Sequence, residues 1–392
     1  LSGEKSQKYQ PSKFLLGLIL TMGAFGVMGG GLVAPGIPTI GAAFSAPEEQ
    51  LGLILSVYTI SAAVSLPVIG YFIDTLGRRK VALLCLTLDG IAGLGSTLAS
   101  SFAVLLGWRF LQGIGVAGLI PVAMTIISDC FQDENRLRVM GMLTATISIG
   151  AVIIPSLGGA LASIDWRLVF SVYSFSLILA LAFFFKLPET SASRKNLELR
   201  ELSNHIRSLL STLKLKDIRV ILLQAFATYF FLYAMVTFLP VFIYLYHGMG
   251  EVISGISLSI QGLIGAVFAT RANFFAKYLN WQQRTGLGFV LLALSLILLP
   301  FWPQESYLIF LSMVIYGSGM GIINPTIYNR VTNLPPEELS GTVISLFNTF
   351  KYIGMSASPL VLGLLLIYTS LPTLFVISGI AAAAWAGSVL LL

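Results

Sequence analysis

Along its 392 residues the chain alternates long apolar runs with short polar breaks. A helix needs about 20 residues to cross about 30 Å of hydrocarbon. Boundaries drawn at proline, glycine and charge clusters predict twelve such helices, near 13–40, 50–73, 80–100, 103–129, 137–162, 167–187, 218–246, 252–276, 284–302, 306–330, 340–368 and 371–391. Outer-membrane barrel strands instead alternate apolar and polar residues in segments of about ten. Here Val290 to Leu299 and Leu360 to Leu366 carry apolar residues on consecutive positions, so the expectation is an all-α membrane protein. The first run follows Lys5, Lys8 and Lys13 as a signal peptide would. Its apolar stretch from Phe14 to about Ile40 outlasts the roughly 7–15-residue core of a signal peptide, and is read as a retained first helix.

Composition sharpens this picture. Hydrophobic residues make up 56% and charged residues 10%, against about 25% charged in soluble domains, which excludes an ordinary soluble enzyme. Two cysteines, Cys85 and Cys130, allow neither a disulfide framework nor a four-cysteine metal site, and His205 and His247 form no metal motif. No nucleophile–base pair stands at membrane depth, so neither an enzyme nor a cofactor is expected. With both ends of the chain on one side of the membrane, all of the 23 Lys and Arg except Arg109, Arg167 and Lys351 fall on that side. The positive-inside rule makes it cytoplasmic, in an inner membrane. The net charge of +6 is therefore explained without nucleic acid.

One long polar connection, Pro188 to Asp217, divides the helices six and six. The expected organisation is a first bundle over 1–187, a cytoplasmic linker over 188–217 and a second bundle over 218–392. The linker interleaves Arg194, Lys195, Arg200, Arg207, Lys214 and Lys216 with apolar residues, a pattern suited to the anionic lipid surface. The halves repeat at an offset of 204 residues: Gly113, Gly115 and Pro121 recur as Gly317, Gly319 and Pro325, and Gly150, Pro155 and Gly159 as Gly354, Pro359 and Gly363. Two related bundles suit rocking about a central site.

Between the second and third helices the chain reads Gly70-Tyr-Phe-Ile-Asp74-Thr-Leu-Gly77-Arg78-Arg79-Lys80. A glycine, an aspartate four residues on, then glycine and a basic triplet is a loop signature that resembles the major facilitator superfamily. Arg109-Phe-Leu-Gln112-Gly113-Ile-Gly115 resembles the family's second motif, and Gly150 to Gly159, with Pro155, Gly158 and Gly159, its antiporter motif, although Ile154 stands where glycine usually precedes the proline. Leu32-Val-Ala-Pro35-Gly-Ile-Pro38 is similar to a drug-exporter pattern, and Leu187-Pro188-Glu189-Thr190 to the family's common end of helix 6. The resemblance implies twelve helices in two bundles. It also implies a gating loop built on Gly70, Asp74, Gly77 and Arg78, with Asp129 as a partner. The Gly150 and Gly354 motifs read equally as helix packing.

The family fold places the first and fourth helix of each half at a central cavity. That puts Phe25, Arg109, Gln112, Tyr229, Tyr233, Tyr316, Met320 and Asn324 near substrate. Tyr316, Met320, Asn324 and Tyr328 follow i, i+4 spacing along one polar-aromatic face. Lys351 is a further candidate, lining the cavity or bonded to a backbone carbonyl. Asp89, near the midplane of the third helix, is a candidate proton carrier together with Arg109, or a structural hydrogen-bonding group. The expected function is proton-coupled export of a small amphiphilic drug or metabolite by alternating access, by a monomer whose partners are substrate, protons and lipids. Arg109 and Lys351, with no mid-depth acid on the cavity helices, point to a neutral, zwitterionic or anionic substrate. The alternatives are an importer or facilitator of a sugar or organic acid and, remotely, a nontransporting receptor.

Overall fold

The computed structural model describes residues 11–189, 212–303, 307–335 and 337–391, without the side chains of Asp74, Asp133 and residues 337–341. Most of the linker expected over 188–217 lies outside these. Among the described residues twelve helices are long and apolar enough to span a membrane: α1 Lys13–Ala43, α2 Glu48–Ile73, α3 Arg78–Thr97, α4 Phe102–Cys130, α5 Glu134–Ala162, α6 Trp166–Lys186, α7 Lys216–His247, α8 Glu251–Thr270, α9 Trp281–Phe301, α10 Ile309–Asn333, α11 Thr342–Leu366 and α12 Leu371–Leu390. Helix starts follow local chemistry, since Ser101, Asp165 and Ser370 accept from backbone N–H groups of the first turns of α4, α6 and α12. Asn280 and Gln283 form a reciprocal capping box at α9.

The observed helices depart from the expected ones in two places. The first helix is not uniform, because Pro35 and Pro38 cannot donate backbone hydrogen bonds and the chain tightens into a 3-10 turn over Ala34–Gly36. The helix expected to run to 276 stops at Thr270, and a short helix Ala272–Tyr278 with no buried residue follows.

Helices α1–α6 pack on one another, as do α7–α12, and the groups meet where α2 faces α11 and α5 faces α8. Because α1 enters from the end bearing Arg78, Arg136, Lys186, Lys216 and Arg330, that end is called basic and the opposite one far. The bundles touch closely in the far half. A Cβ on Gly159 would strike the Glu251 carbonyl, and one on Gly255 the Pro155 carbonyl. At the other seam a Cβ on Gly363 would strike the Glu49 carbonyl, and one on Gly52 would lie 2.8 Å from the Pro359 ring. The motif that repeats at 204 residues thus forms both seams, with the prolines and last glycines of α5 and α11 pressed on the outer turns of α8 and α2.

Polar bonds fasten these backbones. The Ser156 amide donates to the Ser259 hydroxyl at 3.1 Å and its side chain does so at 2.7 Å. Ser56 donates to the Ser356 carbonyl at 3.1 Å, and Thr39 to the Glu251 carboxylate.

A side chain forced into such a seam meets backbone, which cannot rotate away. Gly159→Leu or Gly363→Leu should cost about 1–3 kcal/mol of overpacking and separate the bundles at the far end. Spin labels at Ser163→Cys and Tyr368→Cys, measured by double electron–electron resonance, should then report longer distances than in the parent, whereas Gly70→Leu, with open space around Gly70, should leave them unchanged.

Candidate functional site

Below the seams a cavity of about 410 Å³ lies between the bundles, within the range of drug-sized ligand sites. Its wall descends from Gly31, Pro155 and Leu258, beneath the far-end contacts, to Ala269 near the basic end of α8. Both seam prolines shape it. A proline leaves the carbonyl four residues earlier without its helical donor, and those carbonyls belong to Ala151 and Met355, two cavity residues. The glycine-rich run of α1 gives way to tyrosines: a Cβ on Gly29 would overlap the Tyr58 ring, and one on Gly30 would stand 2.6 Å from the Tyr233 hydroxyl.

The expected site residues divide into two groups. Tyr233, Met320, Asn324 and Lys351 line the cavity. The Lys351 ammonium lies 5.0 Å from the Tyr229 ring centre and 5.8 Å from that of Tyr352. Tyr229 therefore adjoins the cavity through Lys351, its own hydroxyl 3.2 Å from that of Tyr328.

Arg109, Gln112, Phe25 and Tyr316 are placed elsewhere. Arg109 is 0% exposed and neither reaches the far interface nor enters the cavity. Its guanidinium donates to the Ile54 carbonyl at 3.1 Å, the Gly29 carbonyl at 2.9 Å and Gln112 Oε1 at 2.7 Å, and lies 4.1 Å from the Tyr58 ring centre. Gln112 in turn donates to Asp89 at 3.1 Å, and Ser176 of α6 donates to the other carboxylate oxygen at 2.6 Å. This chain inside the first bundle joins five helices. A buried guanidinium must fill its donors from whatever surrounds it, and backbone carbonyls of α1 and α2 do so here. Phe25 belongs to the hydrophobic core, and Tyr316 is enclosed within the second half, its hydroxyl unpartnered among the described residues.

The basic loop is organised within the first bundle. Gly77 adopts φ +94°, a left-handed conformation natural to glycine. Arg78 Nε meets Asp129 Oδ2 at 2.8 Å, and the Arg78 amide donates to Glu189 Oε1 at 2.9 Å. Arg79 donates to the Phe184 carbonyl at 2.6 Å. The Asp74 side chain lies outside the described residues. Glu189 was absent from the expected gating set although the Leu187-Pro188-Glu189 ending had singled it out. Tyr58, Gln261 and Tyr352 are cavity residues missed as well. Only Tyr352 carried a signal, its position beside Lys351.

The sequence profile described as Major Facilitator Superfamily matches residues 19–359. The chain belongs to this superfamily. It is an integral membrane transporter rather than an enzyme. Among curated relatives, the bacillibactin exporter of Bacillus subtilis (strain 168) is 27% identical over 349 residues, covering 85% of each chain. The multidrug efflux protein YfmO of the same organism is 26% identical over 356 residues, covering 90% of this chain and 86% of the relative. A POT family transporter solved with a thioalcohol-conjugated peptide superposes with a TM-score of 0.81 over 97% of this chain and 98% of its own, at 16% identity, a likeness of fold.

Arg109 and Lys351 of this transporter should respond differently to removal. Arg109→Met leaves Gln112 Oε1 and the Ile54 and Gly29 carbonyls without its donors and removes the buried positive charge from the network that holds Asp89, and should cost about 3–5 kcal/mol, as does breaking a buried ionic network. Lys351→Gln faces a cavity and should cost less than about 1 kcal/mol. Thermal unfolding of the purified protein in detergent should show a large drop in midpoint for the first and a small change for the second.

Proposed function

We propose that this chain is an exporter of small amphiphilic drugs or metabolites, working by alternating access and coupled to proton entry. The cavity carries this reading: it lies between two repeated bundles, sealed at the far end and extending toward the basic end. With the basic end cytoplasmic by the positive-inside rule, the protein sits in the inner membrane with both termini cytoplasmic, and its cavity receives solute from the cytoplasm. It works as a monomer among lipids. The relatives' names, an exporter and a multidrug efflux protein, support the outward direction.

Coupling is assigned to the first bundle. Asp89 does not line the cavity, yet Gln112 and Arg109 connect it to Gly29 and Tyr58, which do. A proton on Asp89 changes what Gln112 can donate to, hence how Arg109 holds the cavity wall. Asp74 and Arg78 act in the basic loop as a latch that engages the second bundle when the cytoplasmic end closes. Arg78 and Asp129 already form the half of it that belongs to the first bundle. A facilitator or importer of a sugar or organic acid is the second reading, favoured by a cavity lining without Asp or Glu among the described residues.

Counterflow of a labelled compound library in proteoliposomes tests the reading. An acid lumen should drive uptake of a transported compound by exchange for protons, and uptake driven only by acid outside, or by no gradient, would sink the exporter assignment. Asp89→Asn should abolish pH-driven accumulation while leaving exchange measurable; unchanged uphill transport excludes Asp89. For the latch, Asp74→Asn should slow transport with little change in binding to solubilised protein, and equal losses in both would count against it.

A further inference from the structure

Lys351 stands about nine residues into α11, roughly 14 Å from the basic end at 1.5 Å per residue. Among the described residues it is the single charged one lining the cavity, and no carboxylate lies within ion-pair distance of it. A charge at this depth is costly unless compensated. The faces of Tyr229 and Tyr352 compensate it in part, as ring quadrupoles do for cations. The nearest buried acid in the first bundle, Asp89, is already committed to Ser176 and Gln112, with the Arg109 cation between it and the cavity wall. The field inside the cavity is therefore positive.

The cavity of about 410 Å³ that holds this charge is otherwise walled largely by apolar groups, among them Val27, Ile120, Leu232, Val236 and Met320, so an apolar body can lie between the helices while its polar end meets α11. Asn324 and Gln261 add neutral hydrogen-bonding groups and no counter-charge.

From this arrangement we infer that the transporter selects amphiphilic monoanions, an aromatic body bearing one carboxylate or similar acidic group, with Lys351 as its counter-ion. The inference rests on the exporter reading and narrows its substrate class. The anion completes the pairing that the tyrosine rings only begin, whereas a cationic amphiphile both meets repulsion and competes with the ammonium for the same ring faces. Lys351→Gln should therefore do more than weaken anion binding: it frees the Tyr229 and Tyr352 faces for a cation.

Equilibrium binding to the purified protein tests this with three probes of one shape: 1-naphthaleneacetate, its methyl ester and (1-naphthylmethyl)trimethylammonium. The parent protein should bind the carboxylate at least tenfold more tightly than the ammonium compound. Lys351→Gln should lose at least tenfold for the carboxylate and bind the cation as well as or better than the parent, while Lys351→Arg keeps the anion preference. Equal binding of anion and cation by the parent, or an anion preference that survives Lys351→Gln, overturns the inference. Proton-driven flux of other amphiphiles in proteoliposomes with no binding of the carboxylate overturns it while leaving the exporter reading intact; absence of both flux and binding defeats both.

Discussion

The architecture depends on backbone meeting backbone at two places. Where Gly159 lies against the Glu251 carbonyl, and Gly363 against that of Glu49, no side chain separates the bundles. Glycine permits this approach as no other residue does. The prolines a turn away, Pro155 and Pro359, lie in the same contacts, against Gly255 and Gly52 of the partner bundle. Everything below follows from that contact: with the far ends pinned, the space left between the bundles can only lie toward the basic end, and the cavity is found there.

A second constraint fixes the interior of the first bundle. A membrane interior offers no water to satisfy Arg109, so its donors are filled by carbonyls of α1 and α2 and by Gln112. The residues around it are consequently held in place: Gly29 and Tyr58 cannot shift without disturbing the guanidinium, and Gln112 cannot turn without releasing Asp89. The second bundle has Met313 where the first has Arg109, and its interior polar bonds are neutral ones such as Ser295 to the Ser312 carbonyl at 2.7 Å. The two halves share a shape while differing in what their interiors are made to respond to.

The helices, their number and their repeat were legible in the sequence because apolar length and the 204-residue recurrence depend on local composition. The position of side chains around each helix was not. The helix that Arg109 occupies predicts a place near substrate, but a helix has a full circumference, and this residue turns toward α1 and α2, reaching Asp89 of α3 only through Gln112. For the same reason the sequence leaves Lys351 open between cavity and carbonyl; in the structure it lines the cavity. Gly150, Pro155 and Gly159 were recognised as packing residues without revealing that their partner is the opposite bundle, since a glycine in a sequence reports close approach and says nothing of who approaches.

Because the tightest seam contacts, at Gly159, Gly255 and Gly363, are with main-chain atoms, they do not depend on the polar side chains that line the cavity. Residues such as Lys351, Asn324 and Gln261 lie on the same helices as the seams or beside them, yet exchanging one of them leaves the contact surfaces at Gly159 and Gly363 untouched. Cavity lining and seam are thereby built as separable parts. A lineage carrying this scaffold can alter its cavity by single substitutions and keep unaltered seams, which is a physical route by which chains of about 27% identity can keep one fold and diverge in their cavity lining.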